Sequence, residues 1–138
     1  MTTPAVFPYR PLGIGAGPVL MPLMPVRVAN GPRSVSADAL VDTGSTVNVL
    51  PYDLGLRLGF DWAAEQFVVP LGGVLASHPA KAVFLDLTVG TFAPVRLAFA
   101  WSNHPDARFL LGQTNFFTEF DACFFRARGE FHVQPRTP

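Results

Sequence analysis

Short hydrophobic runs separated by turn residues dominate this sequence from Val19 onward, and they limit the possible folds more than any other feature. The runs 19–29 and 35–41 flank Asn30-Gly31-Pro32-Arg33, and an Asn-Gly pair is a strong signal for a hairpin turn. Runs of this length, bounded by Gly, Pro and Asn, are typical of β-strands. The pattern therefore predicts an all-β fold rather than an alternation of strands and helices.

Further strand and helix candidates continue this pattern toward the C-terminus. The additional β-prone runs are 46–50, 67–70, 82–89 and 92–101. Residues 120–126 and 130–134 are predicted to pair as a hairpin about Arg128-Gly129. The spacing at 52–58 is mixed and compatible with one or two helical turns, and 113–119 is the strongest helix candidate.

Length and composition indicate one folded domain. The chain has 138 residues, which is enough for one core of ordinary size. Residues 1–18 are rich in Pro and Gly and are interpreted as an irregular N-terminal arm. The domain itself is predicted at 19–134, and a short tail follows at 135–138.

Charge and cysteine content argue against several classes of function. The chain has 10 basic and 10 acidic residues and no basic run, so neither a nucleic acid nor an anionic membrane is expected as a partner. Cys123 is the single cysteine and the three histidines are scattered, so no disulfide, metal site or other cofactor is expected. The apolar stretch 12–28 is interrupted by Pro18, Pro22 and Pro25, which argues against a membrane span. No signal peptide is visible, so a cytoplasmic location is expected.

The chemically informative segment is ALVDTGSTVNVLP, residues 39–51. Asp42 ends one apolar run, and a carboxylate in such surroundings loses hydration unless hydrogen bonds replace it. Gly44 permits a sharp turn and offers its N–H to the carboxylate. We expect the Ser45 hydroxyl to donate to the outer carboxylate oxygen and the Thr43 hydroxyl to lock the turn. The alternative is that Asp42 only starts a β-turn.

The segment Val41-Asp42-Thr43-Gly44-Ser45, with apolar runs on both sides, resembles the active-site motif of aspartic proteases. Phe109-Leu110-Leu111-Gly112 and the helix candidate after it resemble the apolar-apolar-Gly element that supports the catalytic loop in retropepsins. Leu71-Gly72-Gly73-Val74 lies where these proteins carry a glycine-rich flap, although Ala76-Ser77-His78 stands in place of the usual second glycine pair. The chain thus resembles the single-domain retropepsin-like (retroviral-type) aspartic proteases of bacterial type over residues 20–134.

This resemblance implies a fold, a mechanism and a partner. The fold would be an acid-protease barrel with one short helix in its C-terminal half. Hydrolysis in the family resembles general acid–base catalysis by two carboxylates that share one proton and activate a water. The chain has one Asp-Thr-Gly-Ser, so a second copy is expected to supply the other Asp42 in a two-fold homodimer.

The resemblance also implies roles for individual residues toward a peptide or protein substrate. The expected roles are catalysis for Asp42, support of the catalytic loop for Thr43, Gly44, Ser45, Leu111 and Gly112, and closure over the substrate for Gly72, Gly73 and Val74. The Phe-rich hairpin at 120–134 is expected to contribute to the dimer interface.

Two alternatives remain open beside an aspartic endopeptidase. One is a catalytically silent module of the same fold that dimerises or binds peptides. The other is a small-molecule-binding β-barrel. The intact Asp-Thr-Gly-Ser favours the endopeptidase, because a binding module has no need of it.

Overall fold

A computed structural model describes residues 2–14, 17–65 and 67–138. The strands in this part of the chain are β1 (Ala5–Pro8), β2 (Arg10–Ile14), β3 (Gly17–Met21), β4 (Leu23–Asn30), β5 (Arg33–Val41), β6 (Val49–Pro51), β7 (Val68–Val69), β8 (Ala80–Val89), β9 (Val95–Ser102), β10 (Leu110–Leu111), β11 (Phe120–Phe125) and β12 (Glu130–Pro135). The helices are α1 (Tyr52–Arg57) and α2 (Phe116–Glu119). Short 3-10 turns lie at Gly73–Leu75 and Arg126–Arg128.

The central feature is a closed barrel. Its strands follow one another in the order β4-β5-β10-β6-β9-β8, and β8 returns to pair with β4. β7 adds a short edge beside β8. The pairs β5–β10 and β6–β9 are parallel, whereas β4–β5 and β8–β9 are antiparallel. The predicted all-β fold is confirmed, and the barrel is its largest sheet.

Alternating side chains explain why these segments form half-buried strands. In β4, Met24, Val26 and Val28 face the barrel interior and are at most 5% exposed. β8 repeats the alternation from Val83 to Val89, with every second residue buried. A hydrophobic period of two residues buries one face of a strand, which it could not do on a helix.

Two predicted hairpins form at the turn signals that indicated them. Gly31 has a φ of +58° in the turn that joins β4 to β5, and Asn30 pairs with Arg33 across it. Gly129 has a φ of +71° between β11 and β12. Glycine adopts this left-handed conformation without the steric penalty of a side chain. Local turn chemistry therefore sets the register of both hairpins.

The prediction of an irregular arm at residues 1–18 is wrong for the part that the structure describes. β1 pairs antiparallel with β12 and completes a sheet in the order β1-β12-β11, which we call the terminal sheet. Phe7 explains this pairing because its ring stacks on the buried ring of Phe131, with centroids 5.4 Å apart. Proline is tolerated in edge strands because no ladder N–H is needed there. β2 and β3 pair with each other as a separate hairpin.

The helical content differs from the prediction in two places. α2 begins at Phe116 rather than at Gln113, because the backbone N–H groups of Gln113 and Thr114 donate to the carbonyls of Ser45 and Thr46 at 2.9 Å each. In addition to the one expected helix, α1 occupies the segment where the spacing is compatible with one or two helical turns. Over the described ranges, no helix has the length and apolar character needed to span a bilayer.

Candidate active site

Asp42 follows β5 directly, at the end of the barrel where β10 runs beside that strand. Its backbone N–H donates to the carbonyl of Leu111 at 2.9 Å. Its carboxylate Oδ1 accepts the backbone N–H of Gly44 at 2.9 Å, and the N–H of Ser45 donates to the Asp42 carbonyl at 3.2 Å. The residue is half-buried. The turn therefore holds one carboxylate in a fixed orientation while leaving it open to solvent.

Gly44 and Ser45 interact with the Asp42 turn in different ways. The Gly44 N–H reaches the carboxylate as predicted, and a Cβ at this position would lie 3.2 Å from Asp42 Oδ1, closer than ordinary contact. The prediction for the Ser45 hydroxyl is wrong, because it donates to the carbonyl of Val47 at 2.7 Å instead of to the carboxylate. Ser45 thus stabilises the turn that follows Asp42 and leaves the outer carboxylate oxygen free for other partners.

β10 and the nearby Gln113 support the Asp42 turn. Leu111 is fully buried and pairs in parallel with Val41. The Gln113 side chain donates from Nε2 to the carbonyl of Thr43 at 2.9 Å. This carbonyl, rather than the Thr43 hydroxyl of the prediction, ties down the turn, and the Thr43 side chain is exposed.

Gly112 is packed against backbone on the other side of the loop. A Cβ at this position would lie 2.6 Å from the carbonyl oxygen of Ser45 and closer still to that of Val47. The Gly112 N–H donates to Oδ1 of Asn48 at 2.8 Å. Only a residue without a side chain fits here, so the predicted apolar-apolar-Gly segment lies directly against the loop that carries Asp42.

Two amides, the buried Asn48 and the half-buried Asn115, connect the loop to the barrel wall, and the sequence interpretation did not single them out. Asn48 is 0% exposed, and its Nδ2 donates to the Ala98 carbonyl at 2.9 Å and to Asn115 Oδ1 at 3.3 Å. Asn115 Oδ1 also accepts the backbone N–H of Ala98 at 3.0 Å. The available signal was an amide inside the otherwise apolar run 47–50. Buried polar side chains are retained when hydrogen bonds satisfy them, as they are here.

We expect Asn48→Ala to lower the free energy of unfolding by about 2–4 kcal/mol, because it leaves the buried Gly112 N–H and the half-buried Ala98 carbonyl without their partner. Urea-induced unfolding of the purified chain measures the change. The exposed Asn103 provides a control, and Asn103→Ala should change stability by less than about 0.5 kcal/mol. Equal effects of the two substitutions would show that the amide pair does not hold the loop.

Asp42 opens into a cleft of about 410 Å³. The other lining residues come from the Asp42 loop, β6, β10 and the segment after β7: Gly44, Ser45, Thr46, Val47, Val49, Leu71, Gly72, Gly73, Leu75 and Leu110. Among these described residues Asp42 is the one charged side chain. The cleft is therefore an apolar channel lined largely by backbone, and its described lining contains a single carboxylate.

The segment expected to act as a flap reaches this cleft with a different shape from a simple hairpin. β7 pairs with β8, Val69 opposite Ala80, and the chain then makes the 3-10 turn that begins at Gly73 with a φ of +62°. Gly72 and Gly73 line the cleft opposite the Asp42 loop. The backbone of Val74 lies in the turn, but its side chain lies outside the described part of the structure.

A larger groove, of about 530 Å³, lies on the outer face of β4 and β5 near Phe7. Its carboxylate, Asp38, forms an ion pair with Arg10 at 2.8 Å. That carboxylate is engaged by a guanidinium in a surface ion pair, so size alone does not make this groove the better candidate site. The cleft at Asp42 combines a carboxylate with a built supporting loop.

Comparison with known proteins supports the fold. The chain matches no protein-family model and no curated protein sequence. Among solved structures it is similar to a retropepsin-like aspartic protease from Rickettsia conorii, with a TM-score of 0.55 and 14% sequence identity. The similarity covers 96% of this chain and 94% of that chain. At this identity the similarity shows the architecture, so the chain has a retropepsin-like fold.

Proposed function

We propose that the protein is an aspartic endopeptidase that hydrolyses peptide bonds with a water activated by two Asp42 carboxylates, one from each subunit of a homodimer. The observation that carries this proposal is the Asp42 carboxylate, oriented by Gly44 and Leu111 and open to the cleft of a retropepsin-like barrel. A turn that only reversed the chain would not need Gln113, Asn48 and Gly112 to brace it.

The chemistry follows from two carboxylates placed close together. Two such groups about 3 Å apart cannot both ionise, so the pair holds one shared proton. The ionised carboxylate takes a proton from water as the water oxygen attacks the peptide carbonyl carbon. The protonated carboxylate donates its proton to the carbonyl oxygen. When the tetrahedral intermediate collapses, one of its hydroxyls returns a proton to the carboxylate that is then ionised, and the C–N bond breaks. The leaving amine takes a proton from the other carboxylate, so the pair again holds one proton. Gly72 and Gly73 offer backbone groups to an extended peptide across the cleft.

The second carboxylate has to come from another chain. Asp42 is the one carboxylate among the described residues that line the cleft, and the sequence contains one Asp-Thr-Gly-Ser. The terminal sheet has two open edges, β1 and β11, and it exposes Val6, Phe124 and Phe125. Open edges with apolar side chains favour pairing with another chain. We propose that this sheet, with the Phe-rich hairpin at 120–134, forms part of the two-fold interface.

Incubating the purified chain with a mixed peptide library across a range of pH tests the proposal. We expect internal cleavage that is maximal in the acidic range and falls at both extremes, where the pair is doubly protonated or doubly ionised. A statine-type inhibitor, whose hydroxyl replaces the attacking water, should block cleavage, because it mimics the tetrahedral intermediate. Metal chelators and serine- or cysteine-directed reagents should leave it unchanged. Binding of peptides without cleavage at any pH would favour the silent module instead.

A further inference from the structure

The β2–β3 hairpin is the one described element of the chain whose strands pair with no other part of it. Its strands run from Arg10 to Ile14 and from Gly17 to Met21, between the terminal sheet and the barrel. Five residues at about 3.4 Å each give the hairpin a length of roughly 17 Å. An isolated two-stranded hairpin is marginally stable in water, so its folding calls for contacts beyond its own ladder.

Three contacts fix the base of the hairpin. Arg10 Nη2 lies 2.8 Å from Asp38 Oδ1 in β5, and the backbone N–H of Tyr9 donates to the Gly129 carbonyl at the terminal sheet at 2.8 Å. On the other side, the carbonyl of Pro22 accepts the N–H of Val41, the residue before Asp42, at 3.0 Å. The hairpin therefore starts between the terminal sheet and the Asp42 turn.

The surface of the hairpin is apolar. Residues 11–26 contain no charged side chain. Val19 is 48% exposed and Leu20 is 42% exposed. Neighbouring residues in a strand point to opposite sides, so both faces of the hairpin present hydrophobic side chains to solvent. Contiguous exposed apolar surface with no charge is typical of surfaces that another molecule covers.

Two glycines of the hairpin, Gly13 and Gly17, are not explained by their contacts with the described residues. Neither Gly13 nor Gly17 has a positive φ, and a Cβ added to either would meet nothing within 4 Å. Glycine in a strand lowers stability because it loses more conformational freedom and contributes no side-chain packing. Glycine in a strand marks a bulge, a tight bend, or a site where another backbone or a ligand approaches closely, and the last of these is consistent with the open space beside both residues.

We propose that the β2–β3 hairpin packs against a second copy of this chain and extends the interface of the homodimer, an inference that rests on the proposed function for the dimer alone. None of the described residues that line the Asp42 cleft belongs to the hairpin. Its base adjoins both the Asp42 turn and the terminal sheet, the two places that a two-fold axis through the site would bring against the partner. A stable interface buries about 800 Å² on each partner. The strands of the terminal sheet are short, so the hairpin would add to the interface area that this sheet can bury.

The test compares Leu20→Glu with Leu56→Glu in the full chain carrying Asp42→Asn, so that dimerisation is measured without proteolysis. Leu20 and Leu56 are 42% and 45% exposed, and Leu56 lies on α1, away from the hairpin. Sedimentation equilibrium should show that Leu20→Glu raises the dimer dissociation constant by about tenfold or more, because a charge would enter an apolar interface. Leu56→Glu should leave it within about twofold.

Gly17→Val provides a second measurement in the same background. Valine favours strands, and a Cβ at this position meets nothing within 4 Å among the described residues, so folding should be unchanged or improved. Dimerisation should nevertheless weaken if the partner approaches closely at this position. An unchanged dissociation constant for both Leu20→Glu and Gly17→Val would overturn the proposal.

The outcomes separate this proposal from the proposed function. A chain that cleaves peptides with unaltered dimerisation in both hairpin variants would keep the protease and exclude the hairpin from the interface. If the hairpin variants weakened dimerisation but the native chain cleaved no peptide, the hairpin would stay in the interface and the proposed protease activity would be wrong. If Leu20→Glu in a chain that keeps Asp42 left the dimer dissociation constant unchanged but raised KM, the hairpin would be assigned to substrate binding. Binding to neutral lipid vesicles that Leu20→Glu abolishes, with no change in mass, would assign it to a membrane surface. Both of these results would overturn the proposal.

Discussion

Asp42→Asn is expected to lower peptide cleavage by a factor on the order of 10³ or more, because it removes the group that takes the proton from water and donates to the carbonyl. The fold should survive. The amide oxygen of Asn can accept the Gly44 N–H, and the backbone bond from residue 42 to Leu111 does not involve the side chain. Circular dichroism and urea-induced unfolding check the fold, and initial rates on a fluorogenic peptide check the activity. Undiminished cleavage would remove Asp42 from the mechanism.

Mixing the variant with the native chain tests whether two subunits share the site. When the chains exchange freely at equal concentrations, about half of the native chains pair with a variant chain, so activity should fall to about half that of the native chain alone. A larger excess of Asp42→Asn should lower it further. Leu56→Glu, added in the same amounts, should not have this effect, because it retains Asp42. Activity that does not respond to the Asp42→Asn chain would show that each subunit works alone.

Local chemistry explains the features that could be predicted from the sequence. The hairpins at Gly31 and Gly129 depend on left-handed backbone conformations that glycine alone adopts easily. The hydrogen bond from the Gly44 N–H to the Asp42 carboxylate spans two residues, so neighbouring positions are enough to anticipate it. The alternation in β4 and β8 likewise reflects one buried face, which a period of two residues reveals.

The features that could not be predicted depend on contacts between distant parts of the chain. Asn48 and Asn115 meet because β6 and the segment after β10 lie side by side, and no local pattern announces that contact. The Pro-rich N-terminus suggests an irregular segment, yet Phe7 finds its partner Phe131 near the other end of the chain. The sequence offers the Ser45 hydroxyl more than one nearby acceptor, and the three-dimensional position of the Val47 carbonyl decides which one it uses.

Gly112→Ala should lower the free energy of unfolding by about 3 kcal/mol or more. The added methyl group would lie 2.6 Å from the Ser45 carbonyl oxygen and closer to that of Val47, and both are backbone atoms that cannot rotate away. Relief requires the loop that carries Asp42 to shift, so cleavage should fall as well. Gly72→Ala is the matched control: its φ of −95° suits alanine and a Cβ there meets nothing within 4 Å, so stability should hold or rise by up to about 1 kcal/mol. Urea-induced unfolding at one fixed protein concentration compares the two, because dimerisation makes apparent stability depend on concentration. If Gly112→Ala were as stable as Gly72→Ala, the close packing of β10 against the Asp42 loop would not be what holds the catalytic carboxylate in place.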